Sequence, residues 1–498
     1  MKNRRTSTLR IAMLAMGIGV LGLAAGAQQQ QEMPAATELE RHIDALSNRI
    51  DSMRQQLTES QNEMEAMRAE IASLRAQLAA ENVGDEAEQS ASALRADVQQ
   101  LQDNTDVLAS EIRTHDQTKV ESASKYRVRI SGTVLFTSAA LSGRTDNADL
   151  PIIATALAPG QPSGDLSATA RQSILGVDAQ GPHMWGASSS AAVSVDFFGG
   201  IPYADYTTSS GTVRLRTAHA TLAWPDRALT VGLEQPVISP RNPTSWMTVG
   251  EPALAWSGNL WTWAPQLVYR EENLLPRSHL SGEFALIDPP SPGAPQSMSD
   301  RVPNGSENSR QPGYEARLSE NLKWGARDVG FGAGGYYSRE AFGYGAHGDG
   351  WAAAADWLFP IAKGVDFTGE FYRGRSLGGL GGGTFKNYVS YDGGEYYKAL
   401  DAEGGWGQLK LTFSPELEAN LATGQDNGFE DELRGSDLVT ESGMYVNLAR
   451  NQTAFGNIIY KPRTYLLFSA EYRQIRSWPI SGNANRDHIV GLAAGYLF

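Results

Sequence analysis

Cysteine is absent from the 498-residue chain, and histidine occurs only seven times. Without cysteine the chain can form no disulfide, no thiolate metal site and no cysteine nucleophile. So few histidines argue against zinc chemistry, although a site made of histidine and carboxylates stays open. The net charge of −14 argues against general nucleic-acid binding. We therefore expect no cofactor, no metal and no nucleic-acid partner.

Long apolar runs are also missing, except at the start of the chain. MKNRRTSTLR is basic, IAMLAMGIGVLGLAAGA is apolar, and Ala25-Gly26-Ala27 has the small-residue pattern of a cleavage site. This order predicts a secretory signal peptide over residues 1–27. A transmembrane anchor is the alternative, but the run is short and rich in glycine. No later segment has about 18 consecutive apolar residues, so no later helix is expected to span a membrane. Export without cysteine suggests a Gram-negative envelope.

Apolar residues recur at alternating spacings of four and three from Leu39 onward. A sustained period of 3.5 residues is typical of a coiled coil, and forty such residues are about 60 Å long. Asn82-Val83-Gly84-Asp85 breaks the pattern, and a second run from Leu94 to Ile112 is shifted by one residue. We predict a periplasmic coiled-coil region over 28–125 with a break near 82–90, with a single long amphipathic helix as the alternative. The core positions of the first run are Leu39, Ile43, Leu46, Ile50, Met53, Leu57, Ser60, Met64, Met67, Ile71, Leu74 and Leu78.

The period changes from 3.5 to 2 after Tyr126. The segment YRVRISGTVLFTS alternates apolar with polar residues, and similar segments recur to the end of the chain. Fifty-two glycines and 18 tyrosines suit many short strands joined by turns. The pattern predicts strands near 127–138, 171–178, 189–198, 212–224, 228–237, 261–271, 280–287, 313–324, 328–339, 349–359, 364–374, 404–413, 416–424, 451–461, 464–474 and 487–498.

The connections between these strands alternate between short and long. Short turns include 225–227, 325–327, 360–363, 414–415 and 462–463, whereas long connections cover about 139–170, 199–211, 238–260, 288–312, 340–348, 375–403, 425–450 and 475–486. Short turns at one end and long loops at the other are typical of an outer-membrane barrel. The last strand, HIVGLAAGYLF, fits a closing strand with its apolar row facing lipid. The fold predicted for 126–498 is therefore an all-β transmembrane barrel of 16 antiparallel strands, preceded by the α-helical coiled coil. A soluble β-sandwich or propeller is the alternative.

The stretch VRLRTAHATLAWPDRALTVGLEQPVISP, residues 213–240, resembles a strand pair of the form RLRHAYL…L.VGQ. This pair is found in the sixteen-stranded porins of the phosphate-selective and DcaP-type group. Arg214, Arg216, Ala218 and His219 match the first strand, and Glu234-Gln235 stands near the Gly-Gln of the second. The chain differs from the phosphate type in having no dense run of Lys and Arg in its loops. The resemblance covers about 126–498, and DcaP-type porins also carry an N-terminal helical extension. It implies trimers, passive transport and a third long loop folded into the pore.

Alternation also indicates which charged residues face the lumen. If Val128 and Ile130 face lipid, then Arg127 and Arg129 face the lumen, and the same reasoning applies to the other strands. Arg241 and Glu251 are the only formal charges in the loop 238–260, whose prolines stiffen it. Asp196, Asp366 and Glu370 are candidate acidic partners. The candidate pore-lining residues are Arg127, Arg129, Arg214, Arg216, Arg241, Glu251, Arg270, Arg317, Lys410 and Arg473.

Aromatic residues are expected at the ends of strands, where they would form the two interfacial girdles of a barrel. The segment GGLGGG, 378–383, is not followed by the residues of a phosphate-binding loop and is interpreted as a flexible loop tip. The expected girdle residues are Trp261, Trp263, Tyr269, Trp324, Tyr336, Tyr337, Trp357, Phe371, Tyr460, Tyr465, Tyr472 and Tyr496.

The function predicted from these features is passive diffusion of small hydrophilic solutes through an outer-membrane porin, with a mild preference for anions. The alternative is a structural tether that links the outer membrane to the cell wall through the coiled coil. An outer-membrane phospholipase using His219, which alternation places on the same strand face as Val213 and Leu215, is a weaker rival, because no serine motif accompanies it. An energy-coupled receptor would need a plug domain. The predicted protein is not an enzyme. The expected partners are outer-membrane lipid, small solutes, further copies of the chain in a trimer, and peptidoglycan under the tether hypothesis.

Overall fold

The computed structural model describes residues 126–199, 211–275, 278–290, 303–324, 327–343, 345–440, 443 and 445–498. The predicted signal peptide and coiled coil lie outside these residues. The described part of the chain is a closed antiparallel β-barrel of 16 strands, as the alternating pattern predicts. Every neighbouring pair of barrel strands is antiparallel, and β1 pairs with the last strand to close the sheet.

The described strands are numbered in chain order, and all except β13 and β14 follow one another around the barrel in that order. They are β1 Val128–Leu141, β2 Asp165–Thr169, β3 Ile174–Gln180, β4 Ser188–Asp196, β5 Arg214–Ala223, β6 Arg227–Glu234, β7 Ala264–Glu271, β8 Leu280–Ile287, β9 Gly313–Trp324, β10 Arg327–Gly343, β11 Ala346–Ala362, β12 Val365–Arg375, β13 Tyr388–Tyr391, β14 Tyr396–Ala399, β15 Asp401–Thr412, β16 Leu417–Gly428, β17 Leu448–Arg463, β18 Leu466–Pro479 and β19 Asn485–Leu497. The hairpin β13–β14 forms its own small sheet in a loop.

Two of these segments, β2 and β3, occupy one position in the barrel. Residues 137–141 of β1 pair with β2, and residues 128–133 pair with β3. Both therefore lie on the same edge of β1, separated by a break at 170–173. Counting them as one strand gives 16, whereas the sequence predicted only the β3 part. The break moves Gln172 out of the ladder and into the barrel.

The outer ends of several strands extend farther than the sequence predicts. The connections expected over 340–348 and 475–486 are mostly strand, because β10 and β11 meet at a tight turn after Gly343, and only 480–484 separate β18 from β19. These two predictions of long loops are wrong. The extensions mix apolar and polar residues without a regular period of two, so they lack the apolar alternation that identifies a half-buried strand.

Alternation along the strands separates a lipid-facing surface from the lumen. On β1, Val134 and Phe136 are more than half exposed, whereas Leu135 is fully buried. On β19, Val490 and Leu492 are exposed and Ile489 is buried. Exposed apolar side chains on an isolated barrel are the residues that contact lipid. The closing strand thus has its apolar row on the outer face, as predicted.

Two short α-helices lie in the loops, α1 Gly305–Asn308 and α2 Glu430–Arg434. Three single turns of 3-10 helix, Gly378–Leu380, Gly383–Phe385 and Asp437–Val439, complete the described elements. Asn304 and Glu307 form a capping box at the start of α1. Among the described residues, no helix is both long enough and apolar enough to span a membrane. The loop between β6 and β7 is called L3 below, the loop between β1 and β2 is L1, and the loop between β12 and β15 is L6.

Candidate functional site

Loop L3, residues 235–263, lies inside the barrel. Its apolar residues Ile238, Met247, Leu254 and Leu260 are at most 5% exposed. Polar side chains on the inner wall bind it at many points around the circumference. The wall partners are Glu315 of β9 with Val237 N at 2.8 Å, Glu370 of β12 with Ser239 Oγ at 2.7 Å, Gln408 of β15 with Thr244 N at 2.7 Å, Asn457 of β17 with Thr244 O at 2.9 Å, and Glu471 of β18 with Ser245 Oγ at 2.6 Å.

Glycines allow the loop to approach the wall directly. Gly258 has φ of +101°, and a Cβ there would collide with the carbonyl oxygen of Gly405 on β15. On β16, a Cβ at Gly424 would collide with the carbonyl oxygen of Ser257. Only glycine fits such close contacts between backbones, because any side chain would push L3 away from the wall.

Two arginines of β5 bind the middle of L3, at Val249 and Gly250. Arg214 donates to Asp196 at 2.7 Å and to the carbonyl of Gly250, and Arg216 donates to Asp196 at 2.9 Å and to the carbonyl of Val249 at 2.7 Å. A register shift between β4 and β5 lets both arginines reach the same carboxylate. Asp196 is fully buried, whereas Arg214 and Arg216 retain 23% and 13% exposure. The guanidinium groups are therefore the members of this cluster that reach water.

A second ion network lies on the wall under L3. Arg317 of β9 binds both Glu283 and Asp356 at 2.9 Å. Glu283 also binds Arg270, and Asp356 also binds Arg241 at 2.7 Å. Both carboxylates and Arg317 are at most 7% exposed. Arg241 and Arg270 are more exposed, at 22% and 56%. Buried charges need such pairing, because an uncompensated charge in a dry environment is strongly destabilising.

Gln172, in the break between β2 and β3, clamps L3 to L1. Its Oε1 accepts from Val249 N at 2.6 Å and Gly250 N at 2.9 Å, and its Nε2 donates to Met247 O and Asp149 O at 3.0 and 3.1 Å. The side chain is fully buried and all of its hydrogen-bonding groups are used. The sequence did not identify this residue, since a lone glutamine beside a strand gives no signal.

Glu251 lies at the tip of L3, close to L1. Its carboxylate accepts from Trp256 Nε1 at 3.1 Å. Burial raises the pKa of Glu251 to about 7, an effect that the nearby Asp146 and Asp196 add to and Arg214 opposes. Asp146 of L1 also has a raised pKa because it is buried. Both carboxyl groups are therefore easier to protonate than free side chains.

Loop L6, residues 376–400, is also folded inward. Residues 378–383, the GGLGGG segment, are buried, and Leu380 O and Gly379 O accept from Trp261 N at 3.0 Å and Thr262 Oγ1 at 2.7 Å. Asp426 of β16 fixes the end of the segment by accepting from Gly383 N at 3.0 Å and Thr384 N at 2.6 Å. The interpretation of GGLGGG as a flexible tip is wrong, because glycines here permit close packing against L3 rather than mobility.

A buried lysine in L6 also binds the loop between β16 and β17. Lys386 Nζ donates to the carbonyls of Thr384, Tyr445 and Leu448 at 2.6 to 3.0 Å. Burial lowers the pKa of Lys386 to about 7, while Asp426 acts in the opposite direction. The side chain thus joins L6 to the loop before β17.

Several aromatic residues expected in the girdles lie in the lumen instead. Trp261 is 6% exposed, and Trp263 lies beneath Arg214 and Arg216, with its ring centroid 5.3 and 4.7 Å from their guanidinium carbons. Tyr336 is 5% exposed on the inner face of β10. These three girdle assignments are wrong, because β7 begins only at Ala264 and Tyr336 has the inward parity. Trp256 of L3 stacks on Phe385 of L6 at 3.8 Å.

His219 does not face lipid with Val213 and Leu215, as the sequence suggested. The register shift at Ser194/Val195 places Thr217 and His219 on the inner face, and His219 Nδ1 pairs with Glu234 Oε1. Ser194 Oγ contacts Thr217 Oγ1 at 3.0 Å on the same face. A one-residue irregularity reverses every later side chain of a strand, and the sequence gave no sign of it.

The remaining candidate pore-lining residues differ in how far they are exposed. Arg127 and Arg129 are exposed near the turn end of β1, where Arg129 lies 3.6 Å from Asp178. Lys410 of β15 pairs with Glu418 at 2.8 Å and is 34% exposed. Arg473 is 5% exposed and lies behind L3, bound to Glu471 at 2.7 Å and to Thr248 at 3.1 Å. Strand alternation therefore identified inward-facing charges, but it could not separate exposed from covered ones.

Comparisons with known proteins support the fold. No family model matches the chain, and no curated protein matches it. Among solved structures, the outer membrane channel DcaP of Acinetobacter baumannii is similar, with 19% identity, coverage of 75% of this chain and 99% of that chain, and a TM-score of 0.58. An anion-selective porin from Comamonas acidovorans has 8% identity, coverage of 75% and 100%, and a TM-score of 0.48. The described barrel thus has the fold of a porin-type channel of the outer membrane.

Proposed function

We propose that the protein is a passive channel through the outer membrane for small hydrophilic solutes, with a mild preference for anions. The observation that carries this proposal is the arrangement of L3. The loop is hydrogen-bonded to both sides of the inner wall, where it narrows the lumen and fixes the groups that a solute would meet. Pore width and wall charge determine selectivity in such channels.

The preference for anions follows from which member of each ion pair reaches water. Arg214, Arg216, Arg241 and Arg270 are between 13% and 56% exposed, whereas their carboxylate partners are at most 6% exposed. A solute at L3 would therefore approach guanidinium groups, with the negative charges behind them. The paired carboxylates reduce the local field, so the preference is mild. Arg317 and Arg473 are too deeply covered to act on a solute directly.

A homo-oligomer, with three copies as the expected number, is the second part of the proposal. Strands β4–β8 have 8 to 10 residues, and three of them, β6, β7 and β8, fall short of the roughly 9 to 11 residues that a tilted strand needs to cross a bilayer. We call β4–β8 the short wall. Its outward residues are mainly small or aliphatic, such as Val193 and Val231, although Phe284 of β8 is also exposed. Contact with other copies of the chain would remove this side of the barrel from lipid.

Reversal potentials across a salt gradient in planar bilayers test the channel and its selectivity. The wild-type protein is expected to give discrete open steps and to favour anions over cations. Replacing Arg214 and Arg216 with Gln should shift the reversal potential toward cations. The matched control is Arg339→Gln with Arg373→Gln, because these two exposed arginines are carboxylate-paired on the outer face. A folded protein that never conducts would refute the channel, and an unchanged reversal potential in the lumen variant would refute the selectivity.

A tether between the outer membrane and the cell wall is the alternative function. The heptad pattern from Leu39 to Leu78 favours it. Deleting residues 36–120 separates the two functions. If the N-terminal region acts only as a tether, the deletion variant should conduct normally. It should also no longer bind peptidoglycan in pull-down assays. Loss of conduction in a correctly inserted deletion variant would show that the pore needs the N-terminal region.

A further inference from the structure

Three arginines form a cluster on the outer face of adjacent strands. Arg450 of β17, Arg476 of β18 and Arg486 of β19 share the outward parity of Ile458, Tyr472 and Val490, which are more than half exposed. Arg476 lies directly opposite Arg486 in the ladder, and Arg450 lies opposite Trp478. We call Arg450, Arg476 and Arg486 the rim cluster.

The height of the rim cluster places it at the membrane surface. Arg476 comes ten residues after Leu466, the first residue of β18. At about 3.4 Å per residue and a strand tilt of about 40°, this distance is roughly 26 Å along the barrel axis. The apolar band of such barrels is about 25 Å tall. The cluster is therefore at the upper edge of the band, on the side of the long loops, which face the cell exterior.

The rim cluster lacks acidic partners within the described part of the chain. Like charges directly opposite each other destabilise a strand pair, so Arg476 and Arg486 repel each other. Arg476 Nε is buried without a hydrogen-bond partner. By contrast, Arg339 of β10 and Arg373 and Arg375 of β12 are each paired with a carboxylate, Asp349 or Asp401. These three rim arginines thus have a carboxylate partner, whereas the described residues offer none to the rim cluster.

The surroundings of the cluster form a built surface. A groove of about 640 Å³ is lined by Asn427, Arg450 and Trp478 of the wall and by Glu430 and Arg434 of α2. Asn427 Oδ1 accepts from Arg450 Nε at 2.9 Å. The ring of Trp478 lies 5.3 Å from the guanidinium carbon of Arg450 and 4.3 Å from that of Arg476. Arg450 thus lines the groove, and Trp478, which also lines it, has the guanidinium group of Arg476 over its ring.

We propose that the rim cluster binds the phosphorylated headgroup of a lipid in the outer leaflet of the outer membrane. Guanidinium groups bind phosphate through paired hydrogen bonds, and three of them would neutralise a headgroup that carries more than one phosphate. The apolar residues directly below the cluster, Tyr472, Val490 and Leu492, are 52 to 59% exposed and offer a surface for the acyl chains. This continuity of a cationic and an apolar surface favours a lipid over a free anion.

The test measures lipid binding to the full-length protein. The protein is placed in phosphatidylcholine nanodiscs, lipopolysaccharide is added, and bound lipid is counted by native mass spectrometry. We expect saturable binding that becomes at least tenfold weaker in the variant Arg450→Gln, Arg476→Gln, Arg486→Gln. The matched control is Arg339→Gln with Arg373→Gln, which removes carboxylate-paired arginines from the same rim and should bind normally. Heat-modifiable migration on a gel checks that each variant is folded.

Further arms identify the source of the binding. The same lipid without its phosphates should bind at least tenfold more weakly to the wild-type protein, and inorganic phosphate should not replace the intact lipid at equal concentration. Equal binding of wild type and cluster variant, or equal losses in cluster variant and control, would overturn the proposal. Loss of the oligomer with unchanged lipid binding in the cluster variant would also overturn it, because a second copy of the chain would then be the partner.

Discussion

The barrel has two sides of unequal height. The short wall, β4–β8, has strands of 8 to 10 residues. The opposite side, β9–β12 with β15–β19, has strands of 11 to 17 residues and is called the tall wall. An eight-residue tilted strand is about 19 Å high, less than the apolar band of about 25 Å. The tall wall is therefore high enough to span the apolar band, whereas the shortest strands of the short wall are not, and under the proposed homo-oligomer other copies of the chain would cover that side.

The outward side chains differ in the same way. Exposed aromatic residues are concentrated on the tall wall, whereas exposed apolar residues of the short wall are mainly Val and Leu. Aromatic residues favour the interface between lipid and water, and small side chains allow neighbouring protein segments to approach closely within a membrane. The tall-wall aromatics include Phe331, Tyr337, Trp351, Phe359, Phe371, Tyr460, Phe468, Tyr472 and Tyr496.

L3 connects the two walls on the inside. The loop begins at the short wall, after Glu234, and Glu370 and Glu471 of the tall wall bind it across the lumen. Farther along the loop, Arg214 and Arg216 of the short wall bind it again. The short wall supplies two arginines to the loop, whereas the tall wall supplies carboxylates, amides and Arg473. Any change that loosens one wall should therefore alter the constriction as well as the outer surface.

The largest expected effect comes from removing Asp356 of the tall wall. Asp356→Ala leaves Arg317, which is 7% exposed, without one of its two carboxylates, and it releases Arg241 of L3. Breaking a buried ion network in this way costs about 3–5 kcal/mol. The free energy of unfolding in urea, measured in lipid vesicles, checks this value. The matched control is Asp328→Ala, because Asp328 is 62% exposed and its pair with Lys323 should contribute less than about 1 kcal/mol. Equal losses in both variants would contradict the network.

An arginine introduced on the outer surface of the barrel should have different effects on the two walls. Ala470 is exposed on β18, near the middle of the tall wall, and Ala191 is exposed on β4 of the short wall. Ala470→Arg is expected to lower the free energy of unfolding by about 2–4 kcal/mol, the cost of an arginine at the bilayer midplane. Ala191→Arg should instead dissociate the oligomer and change the folding of the single barrel little. Unfolding in vesicles and migration of unboiled samples measure the two effects, and an intact oligomer in Ala191→Arg would show that the short wall faces lipid.

Much of this architecture was predictable from alternation alone. The predicted strands near 313–324 and 280–287 coincide with β9 and β8, because apolar outward residues and tight turns are local features of the sequence. The inward orientation of Lys410 and Arg473 follows from the same period of two. No local rule gives the register shift at Ser194/Val195, and His219 was therefore assigned to the wrong face.

The interior loops were the least predictable part. Gln172, Gly258 and Asp426 act through partners far away in sequence, and neither composition nor spacing reveals such contacts. GGLGGG illustrates the difficulty, because glycine serves both mobile tips and close packing. The resemblance to porins implied that the third long loop enters the pore, whereas nothing in the sequence indicated that L6 also packs against it.

A pH change should act on the contact between L3 and L1. Glu251 has a pKa raised to about 7 by burial, compared with 4.5 for an unfolded glutamate. The folded protein thus keeps a proton that the unfolded chain has released, and the stabilisation by this proton is lost as the pH rises from about 4.5 to 7. We expect the docking of L3 to weaken by at most about 3 kcal/mol over this range, with more current fluctuation at pH 8 than at pH 5.

The variant Glu251→Gln tests the origin of this pH dependence. A neutral amide cannot ionise, so the difference in current fluctuation between pH 5 and pH 8 should largely disappear. Glu395→Gln, which changes an exposed residue between β13 and β14, is the control and should keep the wild-type difference. A pH dependence that persists unchanged in Glu251→Gln would assign it to another group, with Asp146 as the next candidate.

The smallest expected effect concerns the aromatic girdle of the tall wall. Tyr465, in the turn before β18, and Tyr496 of β19 have ring centroids 5.6 Å apart, and both side chains are about half exposed. Tyr465→Leu keeps an apolar side chain but removes the ring pair, which contributes about 0.5–1.5 kcal/mol. The free energy of unfolding in vesicles should fall by that amount, without a change in conductance or oligomeric state. Leu229→Ile on β6, a volume-conserving change on the outer face of the short wall, is the control and should leave the unfolding free energy nearly unchanged. A loss of the oligomer in Tyr465→Leu would mean that this part of the tall wall contacts protein, and the distinction between the two walls would then fail.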